Sequence, residues 1–244
     1  MSRQRADLLL VARGLVPSRS RAQAEIAAGH VTSAGRVIEK AGELLSDDAP
    51  LALEDACPYV SRGGLKLAHA LDHFKIDVAG KTALDLGAST GGFCDVLLRR
   101  GAAKIYAVDV GHGQLHAKIK AAARVVSLEG TDARDLSAAL IPEAPDIVTA
   151  DLSFIALEKA LAPALCLATH GATLIALIKP QFEAGRAAVG KGGIVRDEAA
   201  RDAALAKVKD WVAAQAGWRI IGDTRSPIQG GDGNVEFLIA ARKA

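Results

Sequence analysis

The sequence holds only three cysteines, Cys57, Cys94 and Cys166, with no metal-ligand spacing among them. An odd, scattered set of thiols excludes a disulfide framework and a zinc module, and it fits reduced side chains in a cytoplasmic protein. Aromatic residues make up 4% of the 244 positions, so a core must be built from Ala, Leu, Val and Ile. The opening Met-Ser-Arg-Gln-Arg-Ala-Asp has no apolar centre, so no secretory leader is expected. One long apolar stretch, residues 160–178, is broken by Pro163, His170 and Gly171. It reads as a helix, a turn and a buried parallel strand rather than a membrane span, which weighs against a membrane-lytic protein. Neither a dinucleotide G-x-G-x-x-G nor a lysine-bearing phosphate loop occurs.

What is present is organised around residues 81–93. Thr82 to Leu86 is an apolar run carrying Asp85, followed by Gly87, Gly91 and Gly92 and then a helical pattern from Phe93. A strand, a glycine turn and a helix start place a ligand at the strand's carboxyl end. Ser89 lies in the same turn. The next apolar run, Lys104 to Val110, contains Asp109, roughly 20 residues beyond the turn, where a nucleoside-binding sheet places a carboxylate on ribose hydroxyls. Asp132 follows a third run, Val125 to Leu128. Three acids at successive strand ends suit a nucleoside without a phosphate chain, and S-adenosylmethionine meets that description. The cofactor-binding candidates are therefore Asp85, Gly87, Ser89, Gly91, Gly92, Phe93, Asp109 and Asp132.

Net charge is only +2, but residues 1–36 hold six Arg against Asp7 and Glu25. Such a face suits a polyanionic partner. Residues 5–14 have helical spacing stopped by Gly14. Pro17-Ser18 opens a second helix, with Ala22, Ile26 and Ala27 inward and Gly29 at its end. Arg19 and Arg21 sit in its first turn, where the helix dipole favours acids, so they are expected to serve a ligand. Strand-like pieces follow at 30–31, 36–38 and 50–53. This series of landmarks, Arg5 to Ala22 and on through Ile26, Gly29, Val31 and Gly35, resembles the S4-type RNA-binding domain. Ala6 stands where that family usually has leucine. The resemblance implies RNA contacts from Arg3, Arg5, Arg19 and Arg21, made to phosphates and so without sequence readout.

The expected division is a first domain over 1–57, a linker at 58–64 and a second domain over 65–244. Arg62 to Ile76 reads as a helix with Lys66 off its apolar stripe. Strands are expected near 81–86, 104–110, 125–129, 145–151 and 172–179, with helices near 92–100, 113–123, 133–140 and 156–169, the alternation of a doubly wound α/β sheet. Residues 181–195 read as a glycine-rich loop, a candidate lid bearing Arg186 and Lys191. A helix over 197–216 and strands at 218–221 and 235–240 close the chain.

Two further strands end in charge, at Asp151 and Lys179, and the last carries Glu236. Each alone is readily a structural salt bridge; together with Lys66 they suit catalysis on a hydroxyl. The stretches Val60 to Lys66, Leu84 to Phe93, Ala150 to Phe154, Leu177 to Phe182, Gly190 to Arg196 and Gly233 to Phe237 together resemble the TlyA-type family of ribosomal RNA methyltransferases, some of which are named hemolysins. The resemblance implies an S4-type domain plus an FtsJ-like, Rossmann-like S-adenosylmethionine-dependent methyltransferase sheet. It implies a catalytic set falling on Lys66, Asp151, Lys179 and Glu236, no metal, and 2′-O-methylation of cytidine ribose in 16S or 23S ribosomal RNA. Ribosomal RNA or ribosomal subunits are the expected partners, with no stable membrane association, and Arg62, Arg186 and Lys191 are further RNA-binding candidates. A membrane-active protein and a non-catalytic RNA-binding protein are the competing readings.

Overall fold

The computed structural model describes residues 3–27, 29–53 and 57–244, and the chain divides into two compact units, Met1–Pro58 and Tyr59–Ala244. The remaining six positions of the expected first domain lie outside the described residues.

The first unit runs β1 (Arg3–Arg5), α1 (Ala6–Ala12), α2 (Arg19–Ala27), β2 (Val31–Ser33), β3 (Arg36–Val37), β4 (Leu44–Ser46) and β5 (Leu51–Leu53). β2 pairs antiparallel with β3 and β5, and β1 with β4. Leu9, Leu10, Val16, Ala22, Ile26, Val31, Ile38 and Leu45 form its core. β1 and β4 were not foreseen, since three residues are too few to show an alternating pattern. Ala27, expected inward, is exposed at the last turn of α2.

The second unit begins where a linker was expected, and residues 59–64 are packed rather than linking. The Val60 N–H donates to Asp95 Oδ2 at 3.0 Å, and the Arg99 guanidinium lies 5.2 Å from the Tyr59 ring centroid. α3 (Gly63–His73) follows, and its buried residues include Lys66 beside Leu67, Ala70 and Leu71. Lys66 is thus on the buried face, because a charged partner awaits it there.

The sheet contains β6 (Thr82–Leu86), β7 (Lys104–Asp109), β8 (Val125–Glu129), β9 (Ile147–Ala150), β10 (Thr173–Ile178), β11 (Trp218–Arg225) and β12 (Phe237–Lys243), in the order β11-β12-β10-β9-β6-β7-β8. The chain steps outward from β6 to β8 and returns to β9 beside β6. That reversal opens a crevice at the carboxyl ends of β6 and β9. β12 inserts antiparallel between β10 and β11, with Phe237 opposite Ile178. This register brings the residue before β12 level with the residue after β10.

The helices are α4 (Gly92–Arg99), α5 (Ala117–Lys120), α6 (Ala162–Leu167), α7 (Pro180–Glu183) and α8 (Glu198–Ala213). Three expected helices are much shorter than their patterns. Around 111–115 carboxylates capture the backbone donors a helix would use: Gly111 N–H goes to Asp109, and Gln114 and Leu115 N–H to Glu129. Over 133–140 only a single 3₁₀ turn, Ala133–Asp135, forms, capped by Asp132. Over 156–169 the Leu157 N–H is taken by Glu183, and α6 starts beside Pro163. The loop expected over 181–195 contains most of α7 and a 3₁₀ turn at Arg186–Ala188.

Gly64 tests the packing of the entry segment. A Cβ there would lie 2.5–2.7 Å from three atoms of Tyr59. Helix propensity alone would make Gly64→Ala stabilising by about 1 kcal/mol, whereas overpacking costs about 1–3 kcal/mol. We expect a lower urea midpoint for the second unit. A higher midpoint would show that Tyr59 swings aside freely and that the segment is not packed as described.

Candidate active site

Gly87 is the pivot. It follows β6 with φ +76°, and a Cβ on it would stand 2.5 Å from the Asp151 carbonyl oxygen. Only glycine combines that left-handed backbone with so close an approach. Asp151 follows β9, so the glycine turn and the Asp151 carboxylate share one edge. Lys179 follows β10, and Glu236 precedes β12. All the strand-end groups named from the sequence are therefore gathered at the carboxyl edge of the sheet.

Two cavities meet there, and Gly87, Ser89 and Asp151 border both. The larger, about 550 Å³, has walls of Val108, Ala133, Leu152 and Ile155, with Asp109 and Asp132 at neighbouring strand ends. Such a volume lies in the usual range for small-molecule sites. Among the described residues no Lys or Arg borders it, while three Asp do. That donor set rejects a phosphate chain and suits a cationic nucleoside with free ribose hydroxyls, so the residues present fit S-adenosylmethionine. Asp109 accepts the N–H of Ser89 at 2.8 Å and of Gly111 at 2.7 Å, which fixes its oxygens while leaving lone pairs for a ligand. Asp132 is pinned differently: Arg134 donates to both its oxygens, at 3.0 and 2.6 Å, and holds its pKa down to about 2. Ser89 has φ +46° and Phe154 φ +64°, unfavourable backbones for non-glycine residues of the kind found at functional sites.

The smaller cavity, about 270 Å³, is bordered by Ser61, Arg62, Lys66, Phe93, Gln229 and Gly231 among others. Lys66 Nζ donates to Glu236 Oε2 at 2.5 Å, with Glu236 2% exposed. Removing either partner would leave a buried charge, so each holds the other in place. Lys179 Nζ lies 2.7 Å from Asp151 Oδ1 and donates to Ser153 Oγ at 2.7 Å. Two Lys–carboxylate pairs therefore stand at one edge, with Asp151 at the junction of the cavities.

Several of the sequence candidates occupy other places. Asp85 borders neither cavity. It is fully buried, accepting from Thr149 Oγ1 at 2.7 Å and Cys94 Sγ at 3.1 Å. Burial raises its pKa to about 6, Asp151 and Asp109 adding to the effect; Cys94 is pushed up by burial and by this neighbour. Gly91 caps α4, and its missing Cβ makes room for Leu115 and Ile119. Gly92 and Phe93 border the smaller cavity rather than the nucleoside one. Arg186 borders a separate depression with Phe154 and Phe182, and Lys191 is exposed on the glycine loop. In the first unit, Asp7 is fully buried and accepts from Arg5, Arg19 and Gln23, its carboxyl held well below the usual range chiefly by Arg5. Arg21 pairs with Glu25 at 2.5 Å. Three of the four arginines are thus oriented by carboxylates, while their side chains remain about half exposed; Arg3 is exposed.

Sequence reasoning missed Thr149, Ser153, Glu183 and Asn234. Asn234 is buried and joins the 190–195 loop to the Glu236 segment, accepting from Val195 N–H and donating to Gly193 O. Ser153 sits within Ala150-Asp-Leu-Ser-Phe154, but nothing in its spacing marked it. No helix among the described residues is long and apolar enough to cross a membrane.

Comparison with known proteins follows this geometry. The model of the FtsJ-like methyltransferase family matches residues 59–243, and that of the S4 domain residues 4–49. The 16S/23S rRNA (cytidine-2′-O)-methyltransferase TlyA of Mycobacterium tuberculosis is 43% identical over 98% of this chain and 90% of its own. A solved hemolysin-named structure from Streptococcus thermophilus is 40% identical, with a TM-score of 0.78 over 100% of this chain and 90% of that one. The O-methyltransferase of Bacillus cereus, solved with SAH, shares the fold at a TM-score of 0.52 and 16% identity, over 78% of this chain and 83% of that one.

Asp85 makes stability depend on pH. Its raised pKa means the folded chain binds that proton more tightly than the unfolded chain does. The associated stability is fully present below 3.8 and is lost as pH rises through about 6. At about 1.4 kcal/mol per unit, the ceiling is about 3 kcal/mol. Asp85→Asn should flatten the dependence, so that wild type loses ground to it between pH 4 and 7 in denaturation series. Parallel curves for the two proteins would refute the burial of a titrating carboxylate here.

Proposed function

The chain belongs to the FtsJ-like methyltransferase family as a TlyA-type member with an S4 domain, and on that premise we propose that it methylates the 2′-hydroxyl of cytidine ribose in ribosomal RNA with S-adenosylmethionine. The observation that carries this reading is the position of Asp151. It borders a nucleoside-sized cavity free of cationic side chains and a polar cavity holding Lys66, and it pairs with Lys179.

In this reading Asp109 and Asp132 hold the cofactor's hydroxyl and amino donors, and Gly87 lets its backbone come close. S-adenosylmethionine, when bound, supplies a methyl on a sulfonium that leaves as a neutral thioether. The protein's task is then chiefly positioning. Lys66, fixed by Glu236, offers its remaining N–H groups to the acceptor ribose. Lys179, steered by Asp151, takes the proton of the 2′-hydroxyl. A 2′-hydroxyl acceptor restricts the substrate to RNA. Arg3, Arg5, Arg19 and Arg21 contact phosphates, with Asp7 and Glu25 holding three of them ready, and Arg62, Arg186 and Lys191 add cationic contacts. A ribosomal substrate places the protein in the cytoplasm.

Two substitutions separate binding from chemistry. Asp109→Ala removes a charged hydrogen-bond partner, a loss of about 1.5–3 kcal/mol or roughly ten- to over a hundred-fold in affinity; calorimetry with S-adenosylmethionine measures it. Unchanged affinity in a folded variant would remove Asp109 from the site. Lys179→Arg keeps the charge but brings a wider head that stays protonated. It should lower the single-turnover rate on ribosomal substrate about 10²–10⁴-fold while cofactor and RNA still bind. A near-native rate would make Lys179 a salt-bridge partner only.

A further inference from the structure

Lys179 is held by two groups, and only Asp151 belongs to the charged set. The other, Ser153 Oγ, accepts from Nζ at 2.7 Å and borders the nucleoside cavity. We infer that Ser153 is a positioning residue that fixes the rotation of the Lys179 amino group; the inference rests on the reading of Lys179 as proton acceptor.

The argument is geometric. An amino group that is to take a proton must present one tetrahedral direction to the hydroxyl. A single acceptor leaves the group free to swivel about one N–H···O axis. A charged oxygen held to one side of that axis removes that freedom. Ser153 Oγ takes the hydrogen bond at 2.7 Å, and Asp151 Oδ1 lies 2.7 Å from Nζ as a charged neighbour outside hydrogen-bond geometry, so the two together set the direction the amino group presents. No other polar partner of Nζ occurs among the described residues. A hydroxyl suits this place better than a second carboxylate, whose charge would favour the ammonium, a form with no lone pair to offer.

The surrounding backbone holds Ser153 against Lys179. Phe154, immediately after it, is 91% exposed and takes the left-handed conformation at φ +64°. Its ring meets that of Phe182 on α7 at 5.2 Å between centroids, and its backbone makes a sharp turn directly after Ser153. Beyond the turn the Leu157 N–H donates to Glu183 Oε1 at 2.8 Å. Glu183 lies on α7, which starts at the residue after Lys179. The segment bearing Ser153 and the segment bearing Lys179 are therefore stapled to each other four residues beyond the pair on each side. On turnover the hydroxyl proton passes to Nζ as oxygen bonds to the methyl carbon and the carbon–sulfur bond breaks. Ser153 changes no bond.

Ser153→Ala and Ser153→Thr in the full chain, beside Lys179→Arg, test this. Single-turnover rates on ribosomal substrate, RNA titration and calorimetry with S-adenosylmethionine are the readouts. Ser153→Ala should slow the saturated rate about 10- to 100-fold, the scale of a small misplacement of a reacting group, with cofactor affinity, the RNA midpoint and melting temperature unchanged. Ser153→Thr keeps the hydroxyl and should restore most of the rate. If Ser153→Ala is near native while Lys179→Arg is inactive, the inference fails and the role of Lys179 stands. If both are near native, the reading of Lys179 itself fails. A loss in Ser153→Ala matched by weaker cofactor binding, or not rescued by threonine, would overturn the positioning role.

Discussion

The site depends on one close approach, that of the Gly87 backbone to the carbonyl of Asp151. It brings the turn after β6 and the end of β9 together at the point where the sheet reverses direction. A side chain on Gly87 would push them apart, and the two cavities that share Gly87, Ser89 and Asp151 would separate. The antiparallel register of β12 on β10 extends the same edge, because Ile178 opposite Phe237 brings Lys179 and Glu236 to its level. Asp151, Lys179 and Glu236 therefore meet through sheet geometry, and Lys66 joins them from α3.

The carboxylates at this edge do different work because their surroundings differ. Asp85 is sealed off and its pKa is raised by burial. Asp109 is oriented by backbone donors. Asp132 is tied to Arg134, Asp151 to Lys179 and Glu236 to Lys66. Among the described residues the larger cavity is bordered by three Asp and no Lys or Arg, a lining that favours a positively charged ligand. Lys66 and Arg62 line only the smaller cavity. Charge thus differs between the two sides of Asp151.

Much of this was legible in the sequence because it is written in strand ends. An apolar run that stops at an acid and a glycine names both the strand and the edge it points to. Periodicity also separated the arginine-rich first unit from the sheet. Side-chain direction was less legible. Asp85 looks like its neighbours in sequence, yet it faces Thr149 and Cys94 inside the sheet. Lys66 falls off the apolar stripe of α3, yet it is buried because Glu236, 170 residues away, neutralises it. The helices expected over 113–123 and 133–140 had suitable patterns, but side chains took the donors of the first and an Asp132 cap began only one turn of the second. Ser153 carried no signal, since its contact exists only once Lys179 arrives from another strand.

The most direct test of the account is the chemical identity of the product. The purified protein would be incubated with methyl-labelled S-adenosylmethionine and unmodified ribosomal subunits, and the RNA digested to nucleosides and resolved. The account predicts label in 2′-O-methylcytidine, and none when the subunits' RNA is already methylated at that site. Label on a base, or no transfer by a folded protein that binds both cofactor and RNA, would contradict it.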